Sequence, residues 1–320
     1  MKRVATIVIG RNEGARLQAC LASLPQNLGD VVYVDSGSTD GSVAFARSTG
    51  AHVVELDTDI PFTAARARNA GVDALSQAHT FVQFIDGDCA LTSGWSAAAC
   101  QFLDDHPQVA VVCGRRRERF PEASVYNQMC DHEWDTPIGQ TKACGGDALM
   151  RLQAFEAVAG FNPSLIAGEE PELCVRLRAE GWQIWRLDVE MTLHDAAMTQ
   201  FSQFWKRARR GGYAYAEGAA MHGRAPELHG VAGTRRALIW GLGLPLFILL
   251  SVLLFGFWAL IFCLIYPVQV VRLALKEGGG RFAWARAALL TLGKFAEARG
   301  VLEFRTNQFR GRSGRLIEYK

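Results

Sequence analysis

Phe81-Val82-Gln83-Phe84-Ile85-Asp86-Gly87-Asp88 decides how this 320-residue chain is read. An apolar run leads into a loop where one glycine separates two carboxylates. A buried strand carries such a run, and its carboxylates then emerge at the carboxyl end, the edge where open α/β sheets bind ligands. Two acidic side chains this close repel unless a cation lies between them, and their hard oxygens suit Mg²⁺ or Mn²⁺. Asp-Gly is equally the composition of a solvated turn, so the neighbouring segments must decide.

Upstream, Val4 to Ile9 is rich in β-formers and stops at Gly10-Arg11-Asn12-Glu13-Gly14, followed by a helical pattern through Leu17, Leu21 and Leu24. Val31 to Val34 is a second strand, ending in the turn-rich string Asp35-Ser-Gly-Ser-Thr-Asp40-Gly-Ser42. That string supplies backbone donors, hydroxyls and carboxylates at a strand's carboxyl end, then opens a helix through Ala46. Val53 to Leu56 is a third strand, and Thr63 to Leu75 a helix with Arg66, Arg68 and Asn69 near its start. Downstream, Ser93 to Leu103 is a helix and Val109 to Cys113 a fifth strand. Strands alternating with helices predict a mostly parallel sheet covered on both faces. Gly10 to Gly14 is neither G-x-G-x-x-G nor a P-loop. Phosphates bound here must therefore be held by a metal and arginines.

Composition narrows the classes. A formal net charge of +2 gives no reason to expect a nucleic-acid partner, and the eight cysteines are scattered without a C-x-x-C pair, as expected of reduced thiols in a cytosolic compartment. Met1-Lys2-Arg3 leads directly into a strand-like run rather than a signal peptide. The tail carries Arg305, Arg310, Arg312, Arg315 and Lys320 against Glu318. This pattern suits either an anionic membrane face or a solvated end.

Taken together, Ile9-Gly-Arg-Asn-Glu13, the string from Val34 to Ser42, Ala65-Arg-Ala-Arg-Asn-Ala-Gly71, Asp86-Gly-Asp88 and Gly168-Glu-Glu-Pro-Glu-Leu173 resemble the family 2 inverting glycosyltransferases, over about residues 4 to 215. The five motifs are specific as an ordered set, whereas each alone is weak. The resemblance implies the GT-A fold and a nucleotide-sugar donor, by default a UDP-sugar. It puts Asn12 and Glu13 in the first nucleotide-binding loop, Asp35 on the base or ribose, and Arg68 near the diphosphate, where guanidinium geometry is suited. Arg66 and Arg68 cannot both point into one site, so at most one of them is functional. Asp86 and Asp88 match the family's D-x-D and would hold Mg²⁺ or Mn²⁺. The second makes the direct contact, and the first reaches the ribose or the cation through water.

Further along, periodicity fails between Glu118 and Gly145, which reads as a loop lining the acceptor side. Asp131-His-Glu-Trp-Asp135 also has the composition of a second metal cluster. Gly145-Gly146-Asp147 stands where the family has Gly-Gly-Asn, which puts the usual amide contact in question. Ala154 to Gly160 fits a glycine-capped helix. The acids of Gly168 to Leu173 also suit a helix N-terminus, with Pro171 in the first turn and Gly181 as terminator. The resemblance puts the catalytic base at Glu170, where the family normally has Asp, so Glu169 and Glu172 stay open. His194 follows a last strand and corresponds to a third metal ligand in several members. Gln203-Phe-Trp-Lys-Arg207 lacks the Gln-x-x-Arg-Trp signature of processive synthases. Arg207 and Arg210 are candidates to steady the leaving nucleotide or to face lipid.

Ala237 to Val271 contains no charged residue. Its ~35 residues would measure roughly 50 Å as a helix, well beyond the ~20 residues of one span. Arg235 and Arg236 precede it, and Arg272, Lys276 and Arg281 follow. The positive-inside rule wants both flanks on the cytoplasmic side. A hairpin broken near Ser251 or Gly256 satisfies this, and a single span does so less well. Phe282 to Leu302 reads as an interfacial amphipathic helix. The expected organisation is a GT-A domain over 1–220 and a membrane-associated helical region over 221–320. The expected activity is metal-dependent, inverting transfer of a sugar to a lipid-linked acceptor in bacterial surface polysaccharide or glycolipid assembly, at the cytoplasmic face of the inner membrane. A sugar nucleotidyltransferase would show a Lys-containing Gly-rich loop after the first strand, and a non-catalytic scaffold would tolerate loss of the acid pairs; neither condition is met.

Overall fold

The structure is a computed structural model that describes residues 3–25, 29–76, 79–312, 314 and 317. Met1 and Lys2, and Arg315, Glu318 and Lys320 of the basic tail, lie outside the described residues. The chain forms two compact units, Met1–Pro121 with Cys130–Ala196, and Glu122–Met129 with Ala197–Lys320.

The first unit is built on nine strands: β1 (Val4–Gly10), β2 (Val31–Asp35), β3 (His52–Glu55), β4 (Phe81–Asp86), β5 (Cys89–Leu91), β6 (Val109–Glu118), β7 (Gly139–Thr141), β8 (Ala148–Arg151) and β9 (Gln183–His194). Their order is β3-β2-β1-β4-β8-β6-β9-β5, with β7 also on β9. β3, β2, β1 and β4 run parallel. β8 then runs antiparallel to β4 and β6, and β6 is parallel to β9. The far half of the sheet is thus mixed. Ile7, Val8, Phe84 and Ile85 are fully buried, as central parallel strands covered on both faces require.

The chain steps from β1 outward to β2 and β3, then returns to place β4 on the other side of β1. The carboxyl ends of β1 and β4 therefore flank a topological switch point, where such sheets open a crevice. The covering helices are α1 (Ala15–Ser23), α2 (Ser42–Ser48), α3 (Ala64–Asp73), α4 (Trp95–Asp105), α6 (Leu152–Ala157) and α7 (Glu169–Ala179), while α5 (Val125–Trp134) starts in the second unit and ends in the first. Gly71 lets α3 lie directly on the sheet, since a Cβ there would sit 2.3 Å from Ile7 Cγ2. Two expectations are corrected. Residues 118–145 are not a simple loop, because they hold α5 and β7. β6 continues past Cys113 through Arg115, Arg116 and Arg117 to Glu118.

In the second unit, α8 (Phe201–His222) begins with a reciprocal capping box between Gln200 and Gln203. It lies along α12 (Arg281–Phe309) at glycine-to-backbone distance: a Cβ on Gly212 would meet Glu297 O at 2.0 Å, and one on Gly300 would meet Arg209 O at 2.0 Å. Arg209 Nε adds a 2.7 Å bond to Glu303. The face that packs on α8 is built of small residues such as Ala283, Ala287, Gly293 and Ala296, while Trp284, Leu292 and Leu302 of the same helix stay exposed.

Between them run α9 (Val231–Leu238), a π-turn over Ile239–Gly243 and α10 (Leu244–Phe255). A 3-10 segment, Phe257–Leu264, and α11 (Ile265–Lys276) return. Gly256, at φ 76°, makes the break. Tyr266 Oη donates to Trp240 O at 2.8 Å, tying one arm to the other. Both arms are long and apolar enough to cross a membrane, and only 6% and 11% of their most apolar windows are buried. A core helix pair would be covered; these are open to the surroundings.

Candidate active site

Arg68 organises the site. α3 starts at the N-cap Thr63, whose hydroxyl accepts from Arg66 N at 3.1 Å, and one turn later its inner face carries Arg68 under the sheet's carboxyl rim. The guanidinium donates to Asp86 Oδ1 at 2.8 Å and Glu169 Oε1 at 2.9 Å, and lies 3.1 Å from Glu170 Oε1. Phe161 sits beneath it. Burial opposes its charge, but Asp86, Glu170 and Glu169 outweigh that and hold Arg68 protonated above the usual arginine value. Arg66 instead points outward and donates to the carbonyls of Ile60 and Asp57. Only one of the two arginines enters the site.

The three helix-α7 glutamates are told apart by their contacts. Glu172 is buried and held by Arg176 on the same helix, Nη2 to Oε2 at 2.7 Å, as a structural pair. Glu169 is buried against Arg68. Glu170 keeps access to the crevice, with 15% of its side chain exposed. Burial and the charge of Glu169 raise its carboxyl to about 7; Arg68 pulls the other way and Asp86 adds to the rise. A carboxyl at that value suits a general base working near neutrality.

Gly146 makes the close packing possible. A Cβ there would lie 2.6 Å from Arg68 Nη2, 3.0 Å from Asp86 Oδ2 and 3.1 Å from Glu170 Oε1. The next residue, Asp147, is fully buried. Its Oδ1 accepts from Asp86 N at 3.0 Å and its Oδ2 from Thr192 Oγ1 at 2.8 Å, while Arg116 Nη2 pairs with Oδ2 at 2.8 Å. The Asp at this position therefore has its own counter-charge and fixes the backbone at the start of the Asp86-Gly87-Asp88 loop. Arg116, which also lies 3.8 Å from Asp86 Oδ2 and over the Trp134 ring, went unnoticed in the sequence. The signal was a charged run continuing an apolar strand.

Asp88 lies beside His194, with Oδ2 3.4 Å from Nε2. Asp88 and His194 are both nine-tenths buried, and with Cys89 they form a group able to hold one metal ion; Asp86, Cys89 and Asp147 form another. Burial, reinforced by Asp147, raises the Cys89 thiol well above its ordinary value, and its soft sulfur suits a hard divalent ion less well than oxygen does. What remains is carboxylate oxygen and imidazole nitrogen, a donor set that fits a divalent ion such as Mn²⁺. The carboxylates of Asp86, Asp88, Asp147, Glu169 and Glu170 outnumber the guanidiniums of Arg68 and Arg116, and a dication offsets that excess. Asp131 and Asp135 form no second metal cluster, since both pair with Arg115.

The first nucleotide-loop candidates cross-link two loops. Asn12 Oδ1 accepts from Thr39 N at 2.7 Å, and Asn12 N donates to Ser38 Oγ at 2.8 Å. Glu13 pairs with Arg16 at 2.8 Å. Asp35 is buried, accepting from Tyr33 Oη at 2.9 Å and from the amides of Gly37 and Ser38 at 2.9 and 2.8 Å. Its first task is to shape the loop it begins. Arg207 and Arg210 belong to α8 in the second unit.

Residues 6–149 match the family described as Glycosyl transferase family 2. Among curated proteins, the succinoglycan biosynthesis protein ExoA of Rhizobium meliloti is 26% identical over 210 residues, 61% of this chain and 64% of that protein. The glycosyltransferase AglE of Haloferax volcanii is 26% identical over 194 residues, 57% of this chain and 63% of that one. The chain thus spans a little under two thirds of these relatives' length. Among solved structures, the mannosyltransferase PcManGT of Pyrobaculum calidifontis, in complex with GDP-Man and Mn²⁺, superposes with a TM-score of 0.67 at 20% identity, covering 94% of this chain and 87% of that one. GalNAc-T7 with UDP, GalNAc and Mn²⁺ superposes at 0.50 and 12% identity, over 68% of this chain and 50% of that one. These two likenesses establish the mixed α/β GT-A fold.

Proposed function

We propose, from the premise that residues 6–149 make this a chain of glycosyl transferase family 2, that it transfers a sugar from a nucleotide-sugar donor with inversion and depends on a divalent cation. The single observation that carries this reading is the convergence of Asp86, Asp88, His194 and Glu170 on the carboxyl rim beside β1 and β4, knitted by Arg68 and Asp147.

Asp88 and His194 would hold the ion, with Asp86 beside it. When bound, a divalent cation neutralises charge on a departing diphosphate. The chain's own residues do the rest. Glu170 accepts the acceptor hydroxyl's proton, and its raised carboxyl matches that task near neutral pH. Glu169 and Arg68 fix its position, and Arg68 adds positive charge near the leaving group. Attack opposite the nucleotide in a single displacement inverts the anomeric carbon. Asn12, Glu13 and Asp35 form the loops that receive the nucleotide. A UDP-sugar is the default donor, although one structural relative is in complex with GDP-Man and another with UDP.

The open apolar hairpin from Ala237 to Val271, with basic residues at both ends, supports attachment to the cytoplasmic face of a bacterial inner membrane. Such attachment favours a lipid-linked acceptor in surface polysaccharide or glycolipid assembly. Equal transfer to a water-soluble acceptor would remove that part of the reading. For the reaction itself, the purified protein is incubated with a panel of nucleotide sugars, with and without EDTA, and nucleoside diphosphate release is recorded. Release from one donor, abolished by EDTA, by Asp88→Ala and by Glu170→Gln with folding intact, is the expected result. Full activity of either variant would end that residue's role.

A further inference from the structure

Glu118 and His194 close β6 and β9, and they stand opposite each other in register. The Glu118 side chain is fully buried, and each of its oxygens is anchored by a backbone amide: Phe120 N to Oε1 at 3.1 Å and Ala196 N to Oε2 at 3.0 Å. It is a fixed acceptor that cannot swing into the crevice. Oε2 lies 3.6 Å from His194 Nδ1, a buried nitrogen with no hydrogen-bond partner among the described residues. On its other side, Nε2 lies 3.4 Å from Asp88 Oδ2. Both separations are longer than the ~2.7–2.9 Å of a charge-assisted hydrogen bond, so neither carboxylate holds the ring's proton by contact distance alone, and Glu118 is the one fixed by two amides. The indole of Trp134 packs edge-on against the imidazole, with ring centres 4.7 Å apart, and limits its rotation.

We infer that Glu118 is a positioning residue that keeps the proton of His194 on Nδ1 and leaves the Nε2 lone pair directed at the cation shared with Asp88. An imidazole between two carboxylates has two neutral arrangements. With the proton on Nε2, it would bond to Asp88 and shut the cation out. With the proton on Nδ1, it faces a carboxylate already fixed by two amides, and Nε2 is the donor. Groups placed behind a ligating histidine in this way commonly change metal affinity by about ten- to a hundredfold when removed. Glu118 touches neither donor nor acceptor, and it acts only through His194. The inference rests on the metal-dependent reading above.

The test uses the full-length protein in detergent, labelled with ¹⁵N-histidine, with His194 assigned by His194→Gln. Recorded at alkaline pH, where the ring is neutral, the metal-free wild type should show the Nδ1–H tautomer. Mn²⁺ titration followed by electron paramagnetic resonance should give a Kd raised about ten- to a hundredfold by Glu118→Gln, and ¹⁵N coupling from the labelled histidine to Mn²⁺ that is lost in this variant. Glutamine offers one acceptor and one donor where Glu118 offers two acceptors. A proton found on Nε2 in the wild type overturns the role of Glu118 and needs no variant to fold. So does Glu118→Gln binding Mn²⁺ within twofold of wild type. Wild-type protein that binds no Mn²⁺ overturns the metal reading itself, and the role of Glu118 with it.

Discussion

Replacing Arg68 with methionine, an unbranched side chain that fills much of the same channel, leaves Asp86, Glu169 and Glu170 facing one another without their shared guanidinium. Removing one member of a buried ion pair destabilises by about 3–5 kcal/mol, and the solvent reaching Asp86 places this case near the lower end. Against a domain stability of about 5–15 kcal/mol, the variant remains foldable but weakened. The loss depends on pH. In the wild type Glu170 already titrates at about 7 when folded, above the ordinary carboxyl value it has when unfolded. The folded chain therefore holds a proton across that window that the unfolded chain has released, and stability falls as pH rises through 7. Arg68 is the group that lowers the Glu170 value, so without it the window extends upward. Denaturant unfolding of Arg68→Met should show a small deficit near pH 5 and the full deficit above about pH 8. The acidic limb of its residual activity should move to higher pH. Equal deficits at both pH values, with the limb unmoved, would refute the assignment of Arg68 as the charge that sets Glu170.

Three further outcomes are expected. Wild-type kcat/KM should fall about tenfold per pH unit below 7, because the base must be ionised, and Glu170→Gln should be inactive across the pH range while donor binding survives. Gly146→Ala should lower kcat at least tenfold with the unfolding midpoint little changed, since its methyl intrudes between Arg68, Asp86 and Glu170; unaltered kinetics would show that the contact relaxes freely. Phe257→Asp with Trp258→Asp at the hairpin's bare tip, each worth about 2.5–3.5 kcal/mol against insertion, should shift the protein from the membrane pellet to the supernatant; full retention in the pellet would argue that these residues do not enter lipid.

Much of the donor half of the fold was legible because its strands are uninterrupted apolar runs ending in polar loops. β1, β2 and β4, the Asp86-Gly87-Asp88 loop and the acidic start of α7 follow from local pattern alone. The break at Gly256 was likewise one of two positions read in advance. What escaped depends on partners distant in sequence. α5 shows no apolar stripe because its inward positions include Asn127, which is buried and accepts from Met198 N, and Asp131, which accepts from Glu118 N. Arg116 and Asp147 neutralise each other across 31 positions of chain, a pairing that no local motif records. Glu118 looked like the end of an ordered stretch; in the fold it is the last residue of a strand, facing His194. The close approach of α8 to Gly300 of α12 likewise depends on a distant partner, the backbone of Arg209.

The central claim is that the rim beside β1 and β4 holds a divalent ion against a diphosphate. Crystals soaked with Mn²⁺ and a nucleoside diphosphate test it most directly, through the anomalous signal of the metal. A single peak bounded by Asp88 and His194, with phosphate density between it and Arg68, is the predicted map. A peak and nucleotide lodged elsewhere, with these side chains unchanged, would contradict it.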